Sequence, residues 1–218
     1  MVDSALPDPE DLLGSSKEPD FRQERARRSY VSLLDAATTL FGRRGYDAVG
    51  TPEIAEAAKV SVGTFYRYFE DKHEIYLEIA KRTMIAAYRE SLAGLTPELF
   101  VGRGRAEAIH AAIAHVFDNV LSRPDLSRSI VEMSLRDPAV ATLRSTFEQL
   151  GVKRLALLIA TVTPRATVPD PAAVAQVIYT SVMECAYSLV RRYEPPELDV
   201  ERMQDALALF VERLLFPT

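Results

Sequence analysis

The twelve residues from Val60 to Asp71 read VSVGTFYRYFED, and they carry hydrogen-bond donors and rings rather than a nucleophile beside a base. Ser61 and Thr64 bring hydroxyls, Tyr66 and Tyr68 phenols and Arg67 a guanidinium, with Phe65 and Phe69 interleaved. A guanidinium fork pairs with a guanine edge or holds a phosphate, and the residues alone leave both open. Elsewhere the chain has little to offer catalysis, with no G-x-S-x-G, no phosphate-binding glycine loop and no H-E-x-x-H. The run VGRGRAE supplies glycines but no preceding strand, so it is no dinucleotide fingerprint. His110 and His115 stand at a spacing poor for joint metal binding and read as structural or pocket-edge residues. No metal or cofactor is expected.

Ser61 is a suitable N-cap for a short helix running to about Phe69. A helix of about eight residues is not stable alone, so Phe65 and Phe69, one turn apart, must lean on neighbours. That leaves Val62, Gly63, Thr64, Arg67 and Tyr68 pointing elsewhere. The supporting elements are legible on either side. Ala26, Tyr30, Leu33, Leu34, Ala37, Leu40 and Phe41 follow a helical period that closes at Arg43, Arg44 and a left-handed Gly45. Thr51 as N-cap, followed by Pro52 and Glu53, opens a second short helix to about Ala58. Lys59 then stands in the turn, where a glycine would sit without strain. Downstream, Asp71 and Glu74 form a capping-box pattern that starts a fourth helix, with Ile75 and Ile79 on its apolar face. Two short helices and a tight turn, the second helix exposing a polar and aromatic face, match helix-turn-helix geometry; ordinary bundle packing uses the same elements.

The whole chain has 218 residues, 48% of them hydrophobic, and a net charge of −5, which argues at first against nucleic acid. The sign is unevenly placed. Residues 1–20 hold six acids against Lys17, net −5, whereas residues 21–90 hold 12 Lys and Arg against 10 acids, net +2. Arg22, Arg25, Arg27 and Arg28 form a local basic patch of the kind that meets phosphates. The first 20 residues mix proline, glycine, serine and acid and are expected to form a disordered acidic tail. They lack the apolar block of a signal peptide, and the apolar runs elsewhere are only a few residues long, so a cytoplasmic chain with no membrane span is expected. A single cysteine, Cys185, excludes an intrachain disulfide and reads as a small buried residue. Beyond Ser91 the glycines and prolines divide the chain into helices of about 105–122, 125–135, 138–162, 171–193 and 199–216, with no strand pattern. The fold class is all-α.

The run LLDAATTLFGRRGYDAVGTPEIAEAAKVSVGTFYRYFEDKHEIY resembles the DNA-binding domain of the tetracycline-repressor (TetR) family of bacterial transcription regulators. The likeness covers about residues 25–88 and is carried by LFGRRGYDA closing the first helix, IAEAAKVS across the second, VGTFYRYF as the third and DKHEIY opening the fourth. It implies a helix-turn-helix DNA-binding domain at 21–70, a connecting helix at 71–90, and a larger helical ligand-binding and dimerisation domain at 91–218. It also implies that Thr51, Tyr66, Tyr68 and Lys72 contact phosphates of a double-stranded operator. Ser61, Val62, Gly63 and Thr64 would occupy the groove-facing start of the third helix, with Arg67 one turn further on. Gly63 permits close approach, and Tyr66 divides between core and contact. On this reading Thr64, Arg67 and Tyr68 face the duplex.

The C-terminal half needs a job of its own. Val174, Ile178, Cys185 and Leu189, flanked by Val177, Val182, Tyr187 and Val190, make the 171–193 helix apolar over an arc that must be covered on two sides. Met203, Leu207, Phe210 and Leu214, beside Ala206, Leu209 and Leu215, do the same for the last helix. The resemblance implies that these two helices form a four-helix bundle with a second copy, a homodimer reading a palindromic operator. It further implies a cavity for a small hydrophobic ligand, for which Tyr88, Phe100, His110, Phe117, Met133, Phe147, Tyr179 and Met183 are candidate lining residues, only some of them expected to touch a ligand. A ligand-responsive repressor is the leading reading. A constitutive dimeric DNA-binding protein without an effector is its alternative, and an all-helical carrier stands further off.

Overall fold

The computed structural model describes residues 24–93, 95–100, 104–191 and 199–217, and among them no strand occurs. In chain order the elements are α1 (Glu24–Arg44), α2 (Thr51–Ala57), α3 (Val62–Tyr68), α4 (Lys72–Tyr88), a π-helical turn (Arg89–Ala93), a 3-10 turn (Pro97–Phe100), α5 (Arg105–Ser122), α6 (Pro124–Ser134), α7 (Pro138–Val162), α8 (Pro171–Arg191) and α9 (Val200–Leu215). Pro124, Pro138 and Pro171 each open a helix, at a position where the missing N–H has no intrahelical partner to lose. Gly45 closes α1 at φ +76, as the sequence implies. The expected disordered tail at 1–20 lies outside the described residues.

The chain divides into two units, and the division is not the one expected from sequence. The first unit comprises the described residues up to Ile85 together with Pro124–Arg144. Thus α6 and the start of α7 do not belong with the C-terminal half. They return to α1, and Leu126, Ile130, Met133 and Val140 share one core with Phe41, Ile75 and Tyr76. Tyr76 sits fully buried, edge-on to Phe41 and to Tyr46 at 5.2 Å each, and its hydroxyl lies 3.0 Å from Ser129 Oγ. Burial pushes its phenol up to about 12. On the other side of this core Tyr30 stacks on Phe69 at 5.3 Å and meets Tyr68 edge-on at 5.7 Å. Its phenol is also pushed up to about 12, first by burial and then by Glu78. Asp137 caps α7, accepting the N–H groups of Ala139 and Val140, and pairs with His73 of α4 at 2.9 Å.

The second unit comprises the described residues of 86–123 and those from Ser145 on. Here α5 packs on both α8 and α9 around Phe117, Ile159, Ala175, Val182, Leu207 and Val211. Gly151 of α7 allows a close approach, since a Cβ there would lie 2.6 Å from the Tyr179 ring of α8. Among the described residues Pro171–Val190 is long and apolar enough to cross a membrane by length and composition alone, a test that core helices also pass. One side of it, through Ala175, Ile178, Val182, Ala186 and Val190, packs into this core.

Candidate nucleic-acid interface

The second short helix begins differently from the sequence reading. Gly50, not Thr51, takes the extended N-cap conformation, at φ −106 and ψ 160. The Glu53 carboxylate reaches back to accept the Gly50 N–H at 2.9 Å and holds Arg44 at 2.7 Å. The Arg44 guanidinium, followed by that backbone N–H, draws the Glu53 carboxyl below its ordinary range. Thr51, released from capping, instead places Oγ1 3.1 Å from the Tyr66 hydroxyl, tying the start of α2 to α3. Between the two helices Lys59 adopts φ 56, the left-handed conformation that the turn requires and that a side chain strains.

The start of α3 follows the sequence closely. Ser61 is its N-cap, with Oγ accepting the Thr64 N–H at 3.1 Å and lying 2.9 Å from Thr64 Oγ1. Phe65 and Phe69 are buried against α1 and α2. Successive residues turn by about 100° on a helix, so going round from Phe65 the exposed arc runs Val62, Tyr66, Gly63, Arg67, with Gly63 and Arg67 directly opposite Phe65 and Val62 at the edge nearest it. All four are exposed, Val62 by 39% and Tyr66 by 54%.

The structure separates the two tyrosines, both expected at phosphates. Tyr68, expected to face outward, is half-buried, and its hydroxyl donates to the Ala26 carbonyl of α1 at 3.1 Å. Tyr66, expected to be divided between core and contact, is the exposed one. Lys72 is also turned inward. Its ammonium donates to the carbonyls of Tyr46 and Val49 at 3.1 Å each and sits 4.4 Å above the Tyr46 ring, pinning the α1–α2 loop to the start of α4. The capping pattern at α4 is present, with the Glu74 N–H on Asp71 Oδ1 at 2.9 Å, but the Glu74 carboxylate takes the N–H of Glu70. Part of the expected basic patch is neutralised locally, since Glu24 holds Arg27 at 2.8 Å and Arg28 at 3.5 Å. Arg25, Arg43, Lys59 and Arg67 remain exposed.

The pocket candidates scatter. Met133 belongs to the core of the first unit and borders a groove of about 430 Å³ there, beside Tyr46, Glu132 and Arg136, so it is not among the C-terminal candidates. Phe117 and Phe100 are packed in the second core, and Phe147 is buried too. His110 is bonded to the exposed Asp205 of α9 at 3.1 Å, a surface link. Tyr88, Tyr179 and Met183 are half-buried.

Comparison with known proteins decides the family. The model of bacterial regulatory proteins of the tetR family matches residues 33–79, which span the second half of α1 through the first half of α4. The HTH-type transcriptional regulator TcmR of Streptomyces glaucescens is 30% identical over 166 residues, covering 73% of this chain and 71% of its own. The chain belongs to the TetR family. It is a transcriptional regulator and not an enzyme. The HTH-type transcriptional repressor KstR of Mycobacterium tuberculosis is 28% identical to this TetR-family chain over 176 residues, 70% of it and 80% of KstR. A regulator from Saccharomonospora viridis, solved in complex with choline, shares the fold at a TM-score of 0.63 and 20% identity, covering 87% of this chain and 96% of its own.

Proposed function

We propose that this TetR-family regulator represses transcription as a homodimer on a palindromic operator and is released by a small hydrophobic ligand in its second unit. The observation that carries the first part is the outward arc of α3, held on α1 by the Phe65, Phe69 and Tyr68 contacts. Val62, Gly63, Thr64 and Arg67 enter the major groove after Ser61, while the Thr51–Tyr66 hydroxyl pair meets a phosphate at its edge. In such a pair one hydroxyl donates to the other, which keeps its own proton for an outside acceptor. Lys72 and Tyr68 act by fixing this head rather than by reaching the duplex.

The dimer is supported by apolar surface that the chain leaves uncovered on its last two helices. Val177 of α8 is 52% exposed, and Leu209 and Phe210 of α9 are 48% and 43% exposed. A two-fold pairing covers them and sets two α3 helices one duplex turn apart, about 34 Å. Repression is supported by the repressor KstR among the relatives, and a small ligand by the choline bound to the Saccharomonospora viridis neighbour. Tyr88, Tyr179 and Met183 are the preferred lining residues, with Phe100, Phe117, Phe147 and His110 behind them. Light scattering and a duplex-binding titration, each with and without a panel of hydrophobic small molecules, test this reading. A dimer whose operator affinity falls with one of those molecules supports it; a monomer, or a dimer indifferent to every member of the panel, overturns the corresponding part.

A further inference from the structure

The side chains of α3 restrict which bases it can read. Its sequence, VGTFYRY, contains no Asn or Gln for bidentate pairing with adenine and no acid to accept from cytosine. Its hydroxyls are paired within the chain, which leaves each pair a single proton and no bidentate pattern to distinguish one base from another. Ser61 Oγ serves the Thr64 N–H and the Thr64 hydroxyl, and the Tyr66 hydroxyl is joined to Thr51. Two groups on the outward arc are left to discriminate between bases. Arg67 is exposed and forms no ion pair with a described residue, so its planar fork is available. Val62 offers an exposed branched apolar surface and nothing polar. Gly63 lies between them on the arc, and a Cβ there would meet only Ser61 Oγ, at 3.8 Å, so no packing inside the protein requires a glycine.

We infer that each operator half-site is read by Arg67 on the O6 and N7 of a guanine and by Val62 on a thymine methyl, with Gly63 left bare so that the backbone can approach the groove floor. The inference rests on the reading of the chain as an operator-binding regulator and adds the base composition of the site. Val62 and Arg67 are five residues apart, about 7.5 Å along the helix axis. That is roughly two base-pair steps at about 3.4 Å each, so the guanine and the thymine fall within one half-site.

The test begins with duplexes selected by the full chain from random DNA. In the selected duplex each thymine is replaced singly by deoxyuridine, which removes only the methyl, and each guanine by 7-deazaguanine, which removes only N7. One deoxyuridine position per half-site should weaken the wild type about fourfold, the contribution of one buried methyl, and should leave Val62→Ala unaffected. One 7-deazaguanine position should weaken the wild type, and the same substitution should cost Arg67→Met nothing further. Arg67→Met itself should bind about 5- to 150-fold more weakly, as loss of a bidentate base contact implies. Gly63→Ala should melt no lower than the wild type yet lose affinity. Equal deoxyuridine effects in wild type and Val62→Ala, or selected half-sites without a guanine, overturn the base assignment while operator binding stands. If no duplex is enriched at all, the operator-binding reading fails and the base assignment fails with it.

Discussion

Replacing Lys72 with methionine separates two accounts of that side chain. The resemblance assigns it to a phosphate, but the structure commits two of its three ammonium donors to the carbonyls of Tyr46 and Val49, with the Tyr46 ring beneath. Hydrogen bonds to a charged group contribute about 1.5–3 kcal/mol each when well shielded, and an exposed cation over a ring adds about 0.5–1 kcal/mol. Lys72 is only half-buried, so water screens the charge and rehydrates the carbonyls once it is gone. Methionine also keeps most of the stem packing. The net loss is then about 2 kcal/mol, close to the low end of one such bond. At roughly 2–4 °C per kcal/mol for a chain of this size, the melting midpoint of Lys72→Met should fall by about 4–8 °C. Thermal melting followed by circular dichroism, alongside operator titration below both midpoints, reads the two effects separately. A variant that melts with the wild type but has lost operator affinity would refute the structural role and restore the phosphate contact.

Other expectations follow from single features of the first unit. Lys59→Gly should relieve the left-handed strain of about 1–2 kcal/mol, offset by about 0.5–1 kcal/mol of extra chain entropy. A gain of roughly 0.5–1 kcal/mol in urea unfolding is therefore expected, and a loss would mean that the lysine side chain supplies a compensating contact. Thr51→Val and Tyr66→Phe should each weaken operator binding, and the double variant should be no worse than the weaker single, a coupling of about 0.5–1.5 kcal/mol; additive losses would show that the hydroxyls act independently. Tyr30 and Tyr76 hold their protons up to about pH 12 in the folded chain, against about 10 when unfolded. The folded state thus binds more protons above pH 10, so stability is level below that pH and falls as pH rises toward 12. The slope is at most about 1.4 kcal/mol per pH unit per tyrosine. Urea unfolding at several pH values should show this fall, shallower in Tyr76→Phe; an identical slope in that variant would remove Tyr76 as its source.

What the sequence made legible was local. The boundaries of α5 and α7 fall where proline, glycine and apolar period place them, and Ser61 caps α3 as its neighbours require. Lys59 adopts the left-handed turn that its position between two short helices demands. What escaped was the partner's direction. Tyr66 and Tyr68 are the same residue type two positions apart, and only the location of Ala26, 42 residues upstream, decides which of them turns inward. Lys72 finds its carbonyls 23 and 26 residues away, beyond any helical spacing. Likewise nothing in the period of α6 says that Leu126, Ile130 and Met133 return to α1 instead of staying with the helices on either side. At α2 the two candidate caps are adjacent, and Glu53 settles the choice by bonding the N–H of Gly50.

The central claim is that the outward side of α3, with Gly63 and Arg67 at its middle and Tyr66 on a phosphate at its edge, is the reading face, and an anisotropy titration of a labelled, selected palindromic duplex tests it most directly. The wild type should saturate at two chains per duplex and bind more weakly as salt rises. Arg67→Ala and Gly63→Ala, both with wild-type melting, should require markedly more protein. Binding as tight in both variants as in the wild type would place the reading face elsewhere on the chain.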